Sequence, residues 1–255
     1  MTTAYRLITM GPSHFCEKAR WALQRARVPF VEERHMPVFH MLATYRVRAK
    51  RSVPALVTDS GVLTDSTEIL ELADRHCGGR LYGTGATRKE AKQLEAGFER
   101  FGADTRRAIY FHVLDDGSKV LDVFGVGVSL PERLSARALF PLTRGLMRRS
   151  MRINDAATER SLMRIEGVFA DVSRRLEGGR RYLVGEQLTA ADLTFATLAA
   201  PILLPLTYGA PLPSVDEVPD ALRELCLHYR ETTAGQFVLR LYREERHRVL
   251  ETAAS

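Results

Sequence analysis

Cysteine is scarce: Cys16, Cys77 and Cys226 are the only three in 255 residues. They are odd in number and far apart, with no Cys-x-x-Cys or zinc-ligand spacing, so neither a disulfide scaffold nor a metal site is expected. No apolar run reaches the length of a membrane span, and no Gly, Ser or Pro tract marks a low-complexity segment. The first residues lack the charged segment, apolar core and cleavage site of an export signal, so the expected location is cytoplasmic. Acid is missing from one stretch, which carries Arg133, Arg137, Arg144, Arg148, Arg149 and Arg152. Such a stretch can attract an anionic ligand or surface. Without interleaved aromatics or a docking motif it reads instead as a solvated helix face, and no nucleic-acid partner is expected.

What the chain does have is a globular composition, 45% hydrophobic and 27% charged, long enough for one or two domains with a substantial core. The net charge of +6 divides evenly about residue 78.

Residues 1–78 alternate strand-like and helix-like segments in the order βαβαββα. The strands fall at 5–10, 30–33, 55–58 and 62–63, and the helices at 15–26, 39–47 and 66–76. Asp59-Ser60-Gly61 is a tight-turn signature between the last two strands. After the helix stop of Cys77-Gly78-Gly79 and a linker at 79–86, residues 87–255 read as all helix. Helical patterns cover 87–113, 137–152, 155–177, 190–204, 219–231 and 234–247, with an irregular stretch between the first two. Thr189 and Asp192 have the spacing of a capping box, with Leu188 and Leu193 as its hydrophobic staple.

Three places can carry chemistry. Ser13-His14-Phe15-Cys16 stands where the first strand gives way to a helix, whose N-terminal N–H groups and partial positive charge favour an anion. The Ser13 hydroxyl can donate to a bound thiolate, or simply cap the helix. Val53-Pro54 precedes a strand, where a cis bond would turn the valine backbone toward an extended peptide and a trans bond would merely open the strand. Asp65-Ser66-Thr67-Glu68 opens the helix at 66–76; it can receive the ammonium and carboxylate of an amino-acid end, and Asp65 with Glu68 also has capping-box spacing. A serine hydrolase is disfavoured, since Gly11-Pro12-Ser13-His14-Phe15 lacks the final glycine of Gly-x-Ser-x-Gly.

The βαβαββα order, Ser13-x-x-Cys16, Val53-Pro54-Ala55-Leu56, Asp65-Ser66 and the later Leu188-Thr189-Ala190-Ala191-Asp192-Leu193 together resemble the cytosolic glutathione transferases. The resemblance spans nearly the whole chain and implies a thioredoxin-like α/β N-terminal domain followed by an all-α domain. It implies glutathione as co-substrate, a hydrophobic electrophile as partner, a role in detoxification and a homodimer. By the same resemblance Ser13 faces the sulfur as the catalytic residue, Val53 with Pro54 meets the cysteinyl part, and Asp65 with Ser66 the γ-glutamyl end. His40, or Lys50 or Arg51, meets the glycyl carboxylate; Arg48-Ala49-Lys50-Arg51-Ser52 departs here from the family's frequent Asn-Pro and Gly-Lys pattern. Two alternatives stand beside this reading: a non-catalytic protein that holds glutathione or an apolar ligand, and thiol chemistry dependent on Cys16. The electrophile pocket is expected between the domains, with Phe111, Phe124, Phe140, Met147 and Met151 as apolar candidates and residues 115–152 as its roof.

Overall fold

The computed structural model describes residues 4–249. Strands β1 (Tyr5–Thr9), β2 (Phe30–Arg34), β3 (Ala55–Thr58) and β4 (Gly61–Leu63) form one sheet in the order β2-β1-β3-β4. β1 and β2 run parallel, with Tyr5 opposite Phe30, and a parallel pair needs a crossover, supplied by α1 (His14–Arg25). β3 lies antiparallel to β1, with Leu7 opposite Leu56, and β4 returns against β3 through the turn at Asp59-Ser60. With α2 (His40–Arg46) and α3 (Ser66–His76) this is the thioredoxin-like arrangement the sequence predicts.

The helical part comprises α4 (Gly85–Val113), α5 (Gly117–Phe124), α6 (Leu130–Ser150), α7 (Asp155–Arg175), α8 (Ala190–Leu203), a 3-10 turn (Val215–Glu217), α9 (Asp220–Glu231) and α10 (Thr233–Glu244). The structure differs from the pattern in one region. Residues 117–124 form a helix capped by Asp116, which accepts from the Lys119 N–H at 3.3 Å, and α6 starts at Leu130 with a proline in its first turn. Gly125, Gly127 and Pro131 disguised both helices, although proline is well tolerated in a first helical turn. None of the described helices is long and apolar enough to cross a membrane.

α8 is buried nearly all round, as a helix without a polar face must be. Around it Phe98, Phe101, Phe169 and Phe195 form an aromatic cluster, which continues into the sheet domain through Ala19, Trp21, Ala22 and Leu23 of α1. Trp21 and Tyr242 hold ring centroids 5.0 Å apart, tying α1 to α10. α5 and α6 have a separate apolar cluster of Leu114, Val120, Leu121, Phe124, Phe140 and Met147 around Met36. The basic stretch is largely solvent-facing, and its acids come from elsewhere: Arg137 pairs with Asp122 at 2.7 Å, and Arg148 with Asp115 at 2.7 Å.

Candidate active site between the sheet and the helices

The first turn of α1 opens onto a cavity of about 990 Å³ between the sheet domain and the helices. Met10, Pro12, Ser13, His14 and Phe15 form one side, and His40, Arg51, Ser52 and Val53 the next. α4 contributes Arg106, Ile109, Tyr110 and Val113, which recur at the i, i+3, i+4, i+7 spacing of a single helix face. α5 adds Val120, Val123 and Phe124, and the chain after α8 adds Leu204 and Tyr208. Of the five apolar candidates, Phe124 and Met151 line the cavity, whereas Phe140 and Met147 pack in the α5–α6 cluster and Phe111 lies outside the lining.

Ser13 occupies the N-cap position of α1 in extended conformation, yet its hydroxyl makes no capping hydrogen bond to the helix backbone. A half-buried serine at a helix entrance that is not spent on capping can turn its hydroxyl from the Cys16 thiol, its neighbour one turn on, to a ligand in the cavity. Cys16, one turn on, has no exposed surface. Burial pushes its thiol up to about 11, against hydrogen bonds from the Ser13 side chain and the Met10 backbone that pull the other way. A thiol held in that range stays protonated at neutral pH.

His14 is 4% exposed, and burial, with Arg106 adding to it, pulls its imidazole down to about 3, so it is neutral. Its ring packs against Gly102 of α4, where a Cβ would lie 2.8 Å from Phe15 and 2.9 Å from Leu198; the glycine is needed for this close approach. His40 is also buried, its pKa lowered by that burial, with Nδ1 lacking a partner. It can serve a carboxylate as a neutral donor, while the exposed Arg51 nearby supplies charge.

The Val53-Pro54 peptide bond is cis. Pro54 is buried at the entry to β3, outside the cavity lining. Asp65 and Ser66 also lie outside the lining, at the start of α3. Asp65 caps that helix by accepting from the Thr67 N–H at 2.7 Å, whereas Glu68 reaches back to the Thr64 N–H at 2.8 Å, so the reciprocal box predicted from spacing is displaced by one residue. α3 is fixed beside α1 by Lys18, whose Nζ donates to Thr67 Oγ1 at 3.0 Å and to the buried Glu95 at 2.6 Å.

Arg106, Tyr110 and Tyr208 also line the cavity, although in the sequence they look like ordinary helix-surface and core residues. Tyr208 donates to the Pro12 carbonyl at 3.2 Å, immediately before Ser13, and so braces the loop that presents it. Burial pushes the Tyr110 phenol up to about 12, which keeps it a hydrogen-bond donor.

A thioredoxin-like domain with a serine at the mouth of its first helix, closed by an all-helical domain across a shared cavity, is the architecture of the cytosolic glutathione transferases. Residues 7–80 match the family described as glutathione S-transferase, N-terminal domain. No curated protein matches the chain in sequence. Among solved structures it is similar to glutathione transferase GSTFuA3 from Phanerochaete chrysosporium at 14% identity and a TM-score of 0.63, covering 99% of this chain and 100% of that one. A glutathione S-transferase from Methylobacterium radiotolerans, solved in complex with glutathione sulfonate, aligns at 19% identity and a TM-score of 0.52 over 99% of both chains. One from Rhodospirillum rubrum aligns at 20% identity and a TM-score of 0.52, covering 94% of this chain and 98% of that one. At these identities the likeness is one of fold.

Proposed function

We propose that the protein is a glutathione transferase that holds glutathione against the sheet domain and directs its thiolate at a hydrophobic electrophile. The observation that carries this reading is the Ser13 hydroxyl, uncommitted to capping and opening into the cavity at the positive end of α1. A free thiol near pKa 8.5 is only a few per cent ionised at pH 7. Lowering it by about two units, or about 2.7 kcal/mol, raises the reactive fraction more than tenfold. One charge-assisted hydrogen bond plus a helix terminus supplies that much.

In this arrangement the Val53 backbone pairs with the cysteinyl part of glutathione, beside Pro54. Asp65 and Ser66 hold the γ-glutamyl end, and His40 with Arg51 meets the glycyl carboxylate. The buried, protonated Cys16 supports Ser13 as the residue that faces the sulfur. The family resemblance extends the reading to a cytoplasmic homodimer engaged in detoxification.

Calorimetric glutathione binding, combined with conjugation to a generic aryl halide, tests the proposal. The native protein is expected to do both, and Ser13→Ala to lose about tenfold to a hundredfold in kcat/KM while still binding glutathione. Native binding without turnover would favour a holding protein, and no binding would remove the reading. Loss of turnover in Cys16→Ser with Ser13→Ala unaffected would transfer the role to Cys16.

The α5 wall gives a separate expectation. Phe124→Ala removes a large apolar surface from the electrophile side, so KM for a bulky apolar electrophile should rise about threefold to tenfold with KM for glutathione unchanged. A parallel rise in both constants would place Phe124 outside substrate selection.

A further inference from the structure

Among the described residues, Arg106 is a cation without a counter-ion. It lies on the cavity face of α4 beside Ile109 and Tyr110, and no ion pair or hydrogen bond joins it to another described residue. Its Nε is buried with no partner at all. Charged groups withdrawn from water normally find an opposite charge, and an arginine left open in a pocket presents a planar fork suited to a carboxylate or sulfonate.

The acids of the same cavity do not fill that need. Asp116 caps α5 and pairs with Lys119, Asp122 pairs with Arg137 at 2.7 Å, and Glu217 accepts from the Ser214 N–H at 2.7 Å. Asp216, like Asp122 and Glu217, is exposed. Around Arg106 the wall is apolar or neutral: Ile109, Val113, the uncharged His14 and the protonated Tyr110, one helical turn from Arg106 and able to add a donor.

We infer that Arg106, assisted by the Tyr110 hydroxyl, is a binding site for an anionic group on the second substrate, so that the preferred electrophile has an apolar body bearing one carboxylate or sulfonate. The apolar body packs on Ile109, Val113, Val120 and Phe124, and its acidic group turns toward the guanidinium. This deepens the transferase reading and rests on it for the word electrophile; binding itself needs no turnover.

Two dyes of nearly the same shape separate charge from apolar burial: anilinonaphthalene sulfonate, and the uncharged N-phenyl-1-naphthylamine. Fluorescence titration of the native protein is expected to favour the sulfonate. Arg106→Leu and Arg106→Gln should weaken the sulfonate about tenfold or more and leave the neutral dye within about twofold, with Arg106→Lys in between. Equal loss of both dyes, or no loss of either, would overturn the inference, and a thermal melt of each variant separates either result from misfolding. Should glutathione binding collapse in Arg106→Leu while the dye preference survives, Arg106 serves a glutathione carboxylate and the inference is wrong. If the native protein conjugates nothing yet shows Arg106-dependent sulfonate binding, the transferase reading fails and the anion site stands.

Discussion

Glu17→Ala is expected to lower the unfolding free energy by about 3–5 kcal/mol, read as a fall in the denaturant midpoint. Glu17 has no exposed surface and holds three donors: the Arg20 guanidinium, Arg246 Nε at 2.6 Å and the Gly209 N–H at 3.1 Å. Its removal leaves Arg246, itself buried, with Gln24 at 2.7 Å as its hydrogen-bond partner among the described residues and the Trp21 ring 5.5 Å below. An unpaired buried cation is the costly product of breaking such a pair. Arg20 suffers less, because Glu32 still accepts from its Nη2 at 2.6 Å. Burial alone would lower the pKa of Arg20, but Glu17 and then Glu32 hold it above the ordinary arginine value.

This cluster joins α1, the middle of β2 and the chain after α10, so its loss is not confined to one element. Gly209 sits so close to Glu17, Arg20 and Arg246 that a Cβ there would collide with all three, and the neighbouring Tyr208 braces Pro12. A control sharpens the reading: Glu17→Ala with Arg246→Met removes the stranded charge and should recover part of the loss. A cost below about 1 kcal/mol for Glu17→Ala would place the cluster in the range of exposed pairs and refute its buried character.

The same residues show where the sequence was legible. The sequence predicts β3 and α3 to the residue because a short apolar run bounded by turn residues and a helix-opening cap are local signals, and the Thr189–Asp192 box is legible for the same reason. The sequence pattern of α1, in contrast, shows one apolar face with Ala19, Ala22 and Leu23, while Glu17, Lys18, Arg20 and Arg25 look solvated. All four are buried, with partners at 32, 95, 245 and 246. Partners far away in sequence leave no periodic trace. The placement of Ser13 at a helix entrance was legible, but its freedom from capping is a rotamer property that only coordinates reveal. Arg106 was invisible for a third reason: its distinction lies in lacking partners, and a sequence does not show which charges are paired.

Asp192→Ala is the second large expectation, at about 3–5 kcal/mol, together with a change in how stability depends on pH. Asp192 is fully buried, accepting the Leu183 N–H on one oxygen at 2.7 Å, and the Thr189 N–H and hydroxyl on the other, each at 2.7 Å. Alanine orphans two buried backbone N–H groups at once. Asparagine is no cure, because its amide turns a donor toward one of those two N–H groups, so Asp192→Asn should lose about 2–3 kcal/mol. Burial pushes the Asp192 carboxyl up to about 6, opposed by these same hydrogen bonds, whereas the unfolded chain titrates near 3.9. The folded state therefore holds its proton more tightly. That contribution is present below about pH 3.9 and is lost as pH rises through about 6, amounting to about 3 kcal/mol in all. The gap in stability between the native protein and Asp192→Ala should consequently narrow by about 2 kcal/mol from pH 4 to pH 7, as measured by urea unfolding at each pH. Carboxylates elsewhere titrate in both proteins and cancel in the difference. A gap that widens with pH would mean that the three hydrogen bonds outweigh burial and that Asp192 is ionised throughout.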